Sequence, residues 1–201
     1  MDVIIQARLT STRFPNKIEA VVGDKTILAN VISRVKSCTN IDRIFVAVPD
    51  LEQYEKLKKY ESCSNNIIVV YPKESIIEND VTGRILEICR DYTIRDFVRV
   101  CADSPILQSW VINFAVKFYE KIMPHYVVTV GMPDGMNAEI VDANALKEAY
   151  SEMNDEEKEH VTLYFENYPR EFDCRQINLN RLSVDSPKDL LLVKELLENG
   201  V

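Results

Sequence analysis

Glycine is scarce in this chain, five residues in 201, and none lies in the polar loop that follows the first apolar run. That excludes both common glycine-rich phosphate cradles: no Gly-Lys-Ser/Thr follows a glycine-rich run, and no GxGxxG opens a first helix. The five cysteines are odd in number and form no CxxC pair, which argues against a disulfide framework or a paired-thiolate zinc site. Cys89 and Cys101 sit inside apolar runs, as core thiols do. Neither of the two histidines has metal-site company. No run approaches the roughly 20 apolar residues of a membrane span, and Met1-Asp2, followed at once by strand-type residues, lacks the features of a signal peptide. Positive charge is in deficit, 24 Lys and Arg against 32 Asp and Glu, net −8. A basic face for nucleic acid or anionic membrane is therefore not expected, and the thiol usage fits a reducing cytoplasm.

Against that acidic background the stretch IIQARLTSTRFPNK stands out. It begins as a strand (Val3, Ile4, Ile5), turns polar at Gln6, and then presents Arg8, Thr10, Ser11, Thr12, Arg13 and Lys17. Hydroxyls, free backbone N–H groups, guanidinium forks and an ammonium are together a phosphate-binding set. A surface loop that happens to be basic is the plainer alternative.

With 46% apolar residues, the chain suits one core-bearing domain over 1–201. The periodicity predicts helices over 26–38 (capped by Thr26), 51–60, 81–92, 110–123, 143–153, 156–168 and 188–199. Apolar runs at 43–49, 66–71, 96–102, 126–130, 138–141 and 171–179 read as strands. Near-continuous Val/Ile strands alternating with helices indicate a mostly parallel sheet covered on both faces, whose ligands bind at the carboxyl ends of the strands.

Asp103 closes the run DFVRVCA and precedes Ser104-Pro105, so its carboxylate is expected at a strand's carboxyl end. There it is either a Mg²⁺ ligand or a turn residue. Asp185 repeats the arrangement: Leu182 and Val184 are strand-like and Ser186-Pro187 opens a helix, so it is either a second metal ligand or a helix cap. His125 reads as a surface-loop residue. His160, in EKEHVTLYFENYP, is either a hydrogen-bonding partner for a polar substrate or a half-buried helix residue. Asp134 and Glu139 flank a turn and suit either a polyol or solvent.

Taken in order, IIQARLTSTRFPNK, GDKTIL, DVTGRI, VRVCADSPIL, PDGMNAEIV, EKEHVTLYFENYP and SVDSPKDL resemble the cytidylyltransferases of the spore coat polysaccharide biosynthesis protein F group. These are relatives of 3-deoxy-manno-octulosonate (Kdo) and acylneuraminate cytidylyltransferases. The resemblance implies a glycosyltransferase-A-like nucleotidyltransferase fold, a mixed, mostly parallel sheet with helices on both faces. It implies that Ala7, Arg8 and Ser11 lie near CTP, with Arg13 and Lys17 on the triphosphate, and that Asp80, Gly83 and Arg84 form a second nucleotide block. Asp103 and Asp185 match the paired Mg²⁺-binding acids. Asp134, Glu139, Glu159, His160 and Thr162 match blocks facing the acceptor sugar, and residues 132–142 match a segment that extends the acceptor site and contributes to a homodimer. This sequence departs from the pattern at Thr10 and Asn16, where relatives carry glycine, and at Glu19, where an apolar residue is common.

The resemblance further implies transfer of CMP from CTP to an acidic or surface-polysaccharide sugar, with release of pyrophosphate. Two other readings stand beside it: the same fold serving another nucleotide or a non-sugar acceptor, and a non-catalytic nucleotide-binding protein. A nucleotide-sugar-consuming glycosyltransferase would carry a DxD metal motif, which is absent.

Overall fold

The computed structural model describes residues 1–73, 77–180 and 182–198. In chain order it forms β1 (Asp2–Gln6), β2 (Val21–Val22), β3 (Lys25–Thr26), α1 (Ile27–Lys36), β4 (Ile44–Ala47), α2 (Leu51–Leu57), β5 (Ile67–Val70), α3 (Val81–Tyr92), β6 (Asp96–Cys101), α4 (Ser109–Ile122), β7 (Tyr126–Val130), β8 (Glu139–Asp142), α5 (Ala143–Tyr150), α6 (Asp155–His160), α7 (Leu163–Asn167), β9 (Cys174–Asn178) and α8 (Pro187–Glu198). Seven strands make one sheet in the order β5-β4-β1-β6-β8-β7-β9, and β2-β3 form a separate ribbon. All seven run the same way except β8, which pairs antiparallel with both β6 and β7. The carboxyl ends of β1, β4, β5, β6, β7 and β9 thus share one rim, joined there by the start of β8.

Both faces of the sheet are apolar because alternate residues of each strand feed different cores. Val3 and Ile5 of β1, with Val46 and Val98, pack on one side with Leu28, Val31, Val111 and Ala115 of α1 and α4. Ile4, Phe45 and Phe97 point the other way and meet Ile85 and Ile88 of α3 and Leu146 of α5. Helix starts are set by side-chain caps. Thr26, Asp50, Asp80 and Asp142 each accept from the backbone N–H three residues on, at 2.7–3.1 Å, and Asn154 and Glu157 cap reciprocally. Each such cap contributes about 1 kcal/mol.

The structure corrects several expectations. The helix expected over 156–168 is broken into α6 and α7 at Val161, whose φ of 61 and ψ of −62 close a tight γ-turn with Thr162 N–H donating to His160 O at 2.6 Å. A β-branched residue held there stores about 1–3 kcal/mol of strain. The run 171–179 is strand only over β9. Leu182 and Val184 form no strand; both are substantially exposed, having no neighbouring strand to pair with. Of residues 132–142, the last four are β8, an interior strand, and Ala138 before them is buried with its N–H and O bonded to Thr129. The short ribbon β2–β3 around Gly23 went unrecognised, since two-residue strands carry no periodicity. The last residue of the helix expected over 188–199 lies outside the described residues. No described helix is long and apolar enough to cross a membrane.

Candidate active site

The basic loop leaves β1 held by its own anchors. Ala7 N–H continues the ladder to Ala47 O at 2.9 Å. Leu9 is buried, and its N–H donates to the Gln53 side chain at 2.6 Å. Asn16 N–H returns to Leu9 O at 2.8 Å and closes the loop. Residues 10–15 therefore project, leaving Arg13 exposed and Ser11 half-buried. Asn16 has φ 56, the left-handed region that glycine occupies freely and asparagine tolerates. Asparagine is thus accommodated at this position. Thr10 keeps a negative φ and hydrogen-bonds Glu78. Glu19 is held by Tyr60 Oη at 2.5 Å and by Lys59, which explains a charge at that position.

Lys17 turns inward at a short 3-10 turn and forms an ion pair with Asp103 just beyond β6. The pair joins residues from two loops of the same rim, and the Asp103 side chain keeps 41% exposure. Arg8 spans the loop's other flank, reaching Glu159 Oε1 and Asn79 Oδ1, each at 3.2 Å.

Asp80 and Gly83 act together at the start of α3. Gly83 N–H donates to Asp80 Oδ1 at 2.7 Å, Tyr150 Oη donates to Asp80 Oδ2 at 2.5 Å, and a Cβ on Gly83 would lie 2.7 Å from that carboxylate. Arg84, one turn into the helix, is buried. Among the described residues its Nη1 reaches only the Glu78 carbonyl, at 3.4 Å, and its Nε has no partner. Burial pulls its pKa down to about 10; Glu78 opposes that fall, while the like charge of Arg8 adds to it.

Among the described residues, two recesses on the rim bear on the site. A small one of about 120 Å³ is lined by Ala7, Arg8, Val81, Arg84, Glu159 and His160. A larger one of about 440 Å³ is lined by Arg99, Cys101, Asp103, Asp134, Asn137 and Glu139. Between them runs a buried polar network centred on Arg99. Its Nε donates to Gln6 Oε1 at 2.9 Å, and its Nη1 donates to Glu139 and, at 3.2 Å, to Thr162 Oγ1. Glu139 also accepts from Thr162 Oγ1 at 3.1 Å and Tyr126 Oη at 3.2 Å. Burial opposes the Arg99 charge, but the facing Glu139 more than compensates and holds the pKa above its usual value. Burial, then the nearby Glu139, raises Glu166 above the ordinary carboxylate range.

The expected site residues are thus partly gathered. Ala7, Arg8, Arg84, Glu159 and His160 share the small recess, while Asp103, Asp134 and Glu139 share the larger one. Lys17 links to Asp103, and Ser11 and Arg13 stay on the projecting loop. Glu159 gives one oxygen to Arg8 and stays partly exposed on the recess wall, whereas Thr162 is buried against Glu139. His160 is exposed; His125 is also exposed, with Nδ1 accepting from Asp173 N–H at 3.1 Å. Asp185 lies beyond β9 in an exposed stretch, its N–H donating to Asp189 Oδ2 at 3.1 Å. The reciprocal cap of α8 is made by Ser186 with Asp189. Among the described residues no group of three acidic, His or Cys side chains is placed to hold a metal.

Sequence reasoning passed over Arg99, Gln6 and Asn137. Arg99 did leave a signal, a charge in the middle of the apolar run DFVRVCA. Asn137 left none, although its Oδ1 is buried without a partner.

A family model described as cytidylyltransferase matches residues 3–195. The chain belongs to the cytidylyltransferase family. It is accordingly a nucleotidyltransferase of the CTP-dependent kind. This cytidylyltransferase is 24% identical over 211 residues to the spore coat polysaccharide biosynthesis protein SpsF of Bacillus subtilis, covering 98% of this chain and 86% of that one. A solved cytidylyltransferase from Leptospira borgpetersenii superposes with a TM-score of 0.78 at 25% identity, covering 96% and 84% of the two chains. A CMP-2-keto-3-deoxy-manno-octonic acid synthetase solved with CTP superposes with a TM-score of 0.68 at 14% identity over 100% and 99% of the chains, a likeness of fold. The sheet order and the mostly parallel strands are those of the glycosyltransferase-A-like nucleotidyltransferase fold.

Proposed function

We propose that this cytidylyltransferase transfers CMP from CTP to a sugar hydroxyl at the rim, releasing pyrophosphate. The carrying observation is the Lys17–Asp103 pair, which ties the basic loop after β1 to the acid after β6 at the edge of the larger recess. In this reading the nucleotide lies over the small recess, with Ala7, Arg8, Ser11, Asp80, Gly83 and Arg84 around it. The unpartnered Arg84 Nε supplies a donor there, and Arg13 and Lys17 meet the triphosphate. The sugar lies over the larger recess beside Asp134 and Glu139, reaching toward Glu159 and His160 on the wall of the small recess, with Thr162 acting from beneath through Glu139.

The acceptor oxygen gives up its proton to solvent and bonds to the α-phosphorus as the bond to the pyrophosphate oxygen breaks. Such chemistry depends on positioning and on neutralising charge. Asp103 fits Mg²⁺ as an exposed carboxylate on the recess wall, leaving most oxygen ligands to water and phosphate as that ion prefers; Asp185 enters as second ligand on the resemblance alone. Mg²⁺ held by these acids would neutralise phosphate charge, while Lys17 and Arg13 would steady the leaving pyrophosphate. The names of the relatives place them in spore coat polysaccharide and Kdo activation, and a surface-polysaccharide sugar is the corresponding acceptor class here. Also part of the reading are a single domain over 1–201, a homodimer to which residues 132–142 contribute, cytoplasmic location, and no role for nucleic acid or membrane.

The test is thermal stabilisation by CTP, UTP, ATP and GTP, each with and without Mg²⁺. A ligand at about 100 times its Kd adds roughly 2.7 kcal/mol. Selective stabilisation by CTP, enhanced by Mg²⁺, is expected; preference for another nucleotide, or no response, would sink the reading.

A further inference from the structure

We infer that Gln6 selects the base of the nucleotide, donating its amide N–H to N3 of cytosine, and that Arg99 positions it for that bond. This inference rests on the reading above, in which the nucleotide lies over the small recess, and names the group there that tells cytosine from uracil.

Gln6 ends β1 half-buried and lines the small recess beside Arg84. On the neighbouring strand Arg99 stands opposite Ile4, two residues back, so Gln6 and Arg99 share one face of the sheet. Arg99 Nε donates to Gln6 Oε1 at 2.9 Å. A guanidinium has no acceptor to offer, so the Gln6 amide can meet it only through oxygen. Arg99 is itself locked: its side chain is 10% exposed, and its Nη1 donates to Glu139 and Thr162 Oγ1. The amide is therefore fixed in one of its two flips. Arg99 lines the larger recess and Gln6 the small one, which leaves Nε2 on the small-recess side. That nitrogen has no hydrogen-bond partner among the described residues.

A second donor stands on the same wall, the buried Nε of Arg84, also without a partner among the described residues. Ala7 and Val81, both buried, add apolar surface, and the Arg8 guanidinium is spanned by Glu159 and Asn79. Two fixed donors against an apolar wall suit a planar ring with two adjacent acceptors. Of the four bases only cytosine has such a pair on its pairing edge, O2 and N3. The charged Arg84 donor matches the carbonyl O2, since a charge-assisted bond is the stronger, and the neutral amide matches the ring nitrogen N3. Uracil keeps O2 but carries N–H at position 3, so it would meet Gln6 donor to donor. A freely rotating glutamine would flip and offer its oxygen. Here the flip would abandon Arg99 and leave a buried guanidinium N–H unpaired, which is costly.

The experiment measures Kd by calorimetry for CTP, UTP and 3-deaza-CTP, in which N3 is a C–H, all with Mg²⁺ and the full chain. The unaltered protein should prefer CTP over UTP by ~100-fold and bind 3-deaza-CTP about tenfold more weakly than CTP, the range for a lost or mismatched bond to a buried group. Gln6→Glu keeps an oxygen for Arg99 but turns an acceptor to the base, so it should reverse the preference toward UTP. Arg99→Met combined with Glu139→Gln removes the charge pair together and frees the Gln6 amide to flip. It should tighten UTP and narrow the CTP preference about tenfold, a change that a merely structural role of Arg99 would not produce. Urea denaturation checks that both variants fold, and the 3-deaza-CTP comparison needs neither.

Equal affinity of the unaltered chain for CTP and 3-deaza-CTP would overturn this inference and leave the nucleotide reading standing. So would a Gln6→Glu protein that weakens CTP and UTP alike, which would put Gln6 on the phosphates or ribose, or an unchanged preference in the double variant. Absence of binding by CTP would overturn the nucleotide reading and this inference with it.

Discussion

Replacing Arg99 with methionine should be the most damaging single change outside the apolar cores. The side chain is 10% exposed, and its partner Glu139 is 17% exposed. The substitution deletes the charge opposite Glu139 and the hydrogen bonds to Gln6 at 2.9 Å and Thr162 at 3.2 Å. Glu139 keeps Thr162 and Tyr126 as donors but no counter-charge. Removing one member of a buried pair costs about 3–5 kcal/mol. For a chain of this size each kcal/mol shifts Tm by about 2–4 °C, so Tm should fall by roughly 10 °C. The decisive assay is a double-mutant cycle by urea denaturation, with Arg99→Met, Glu139→Gln and the pair. Because the amide introduced by Glu139→Gln would still accept from Thr162 and Tyr126 without a buried charge, the double variant should be less destabilised than the sum of the singles by about 2 kcal/mol or more. Additivity within about 0.5 kcal/mol would refute the reasoning, since it would mean that Arg99 and Glu139 do not depend on one another.

Three further outcomes are expected. Asp103→Asn should lower pyrophosphate release by about 10³-fold or more while leaving the far-UV circular dichroism unchanged, because a half-exposed rim carboxylate serves transition-state charge and not the core. Gly83→Ala should destabilise by about 1–2 kcal/mol in urea, since the new Cβ would meet the Asp80 carboxylate at 2.7 Å and displace the cap of α3. Glu166→Gln should flatten part of the pH dependence of stability. The raised folded pKa of Glu166 means that the native state holds this proton more tightly than the unfolded chain does. Its contribution is therefore present below the ordinary carboxylate pKa and is lost as pH rises through the folded value. Urea midpoints of the two proteins measured from about pH 4 upward should converge at the acid end and separate above it; parallel curves would count against the assignment.

Local order was legible without coordinates. The run 81–92 reads as a helix and is α3 residue for residue, Thr26 caps α1 as its position suggests, and Tyr126–Val130 is a strand of the expected extent. These depend on periodicity and on capping chemistry within a few residues, which the chain carries wherever it folds. The phosphate-type loop was legible for the same reason: strand, polar break and clustered cations are contiguous. The reading failed at 156–168, where the pattern is helical but packing of Val161 and the bond from Thr162 to Glu139 force a turn that no local propensity favours.

What the sequence determined by itself is the composition of the parts: apolar strands buried on both faces, capped helices, a cationic loop in an acidic protein, and an acid, Asp103, set just beyond a strand end. What only the tertiary structure decided is which of those parts meet. Lys17 reaches Asp103 across 86 positions, and Arg99 reaches Glu139 across 40. Both contacts follow from strand order, in which β6 lies between β1 and an antiparallel β8. Side-chain alternation places each residue on a face using only its neighbours; the partner on the next strand is fixed by chain crossings that leave no mark in local sequence. The recesses, the committed charge of Arg99 and the unpaired Asn137 all belong to that second kind of information.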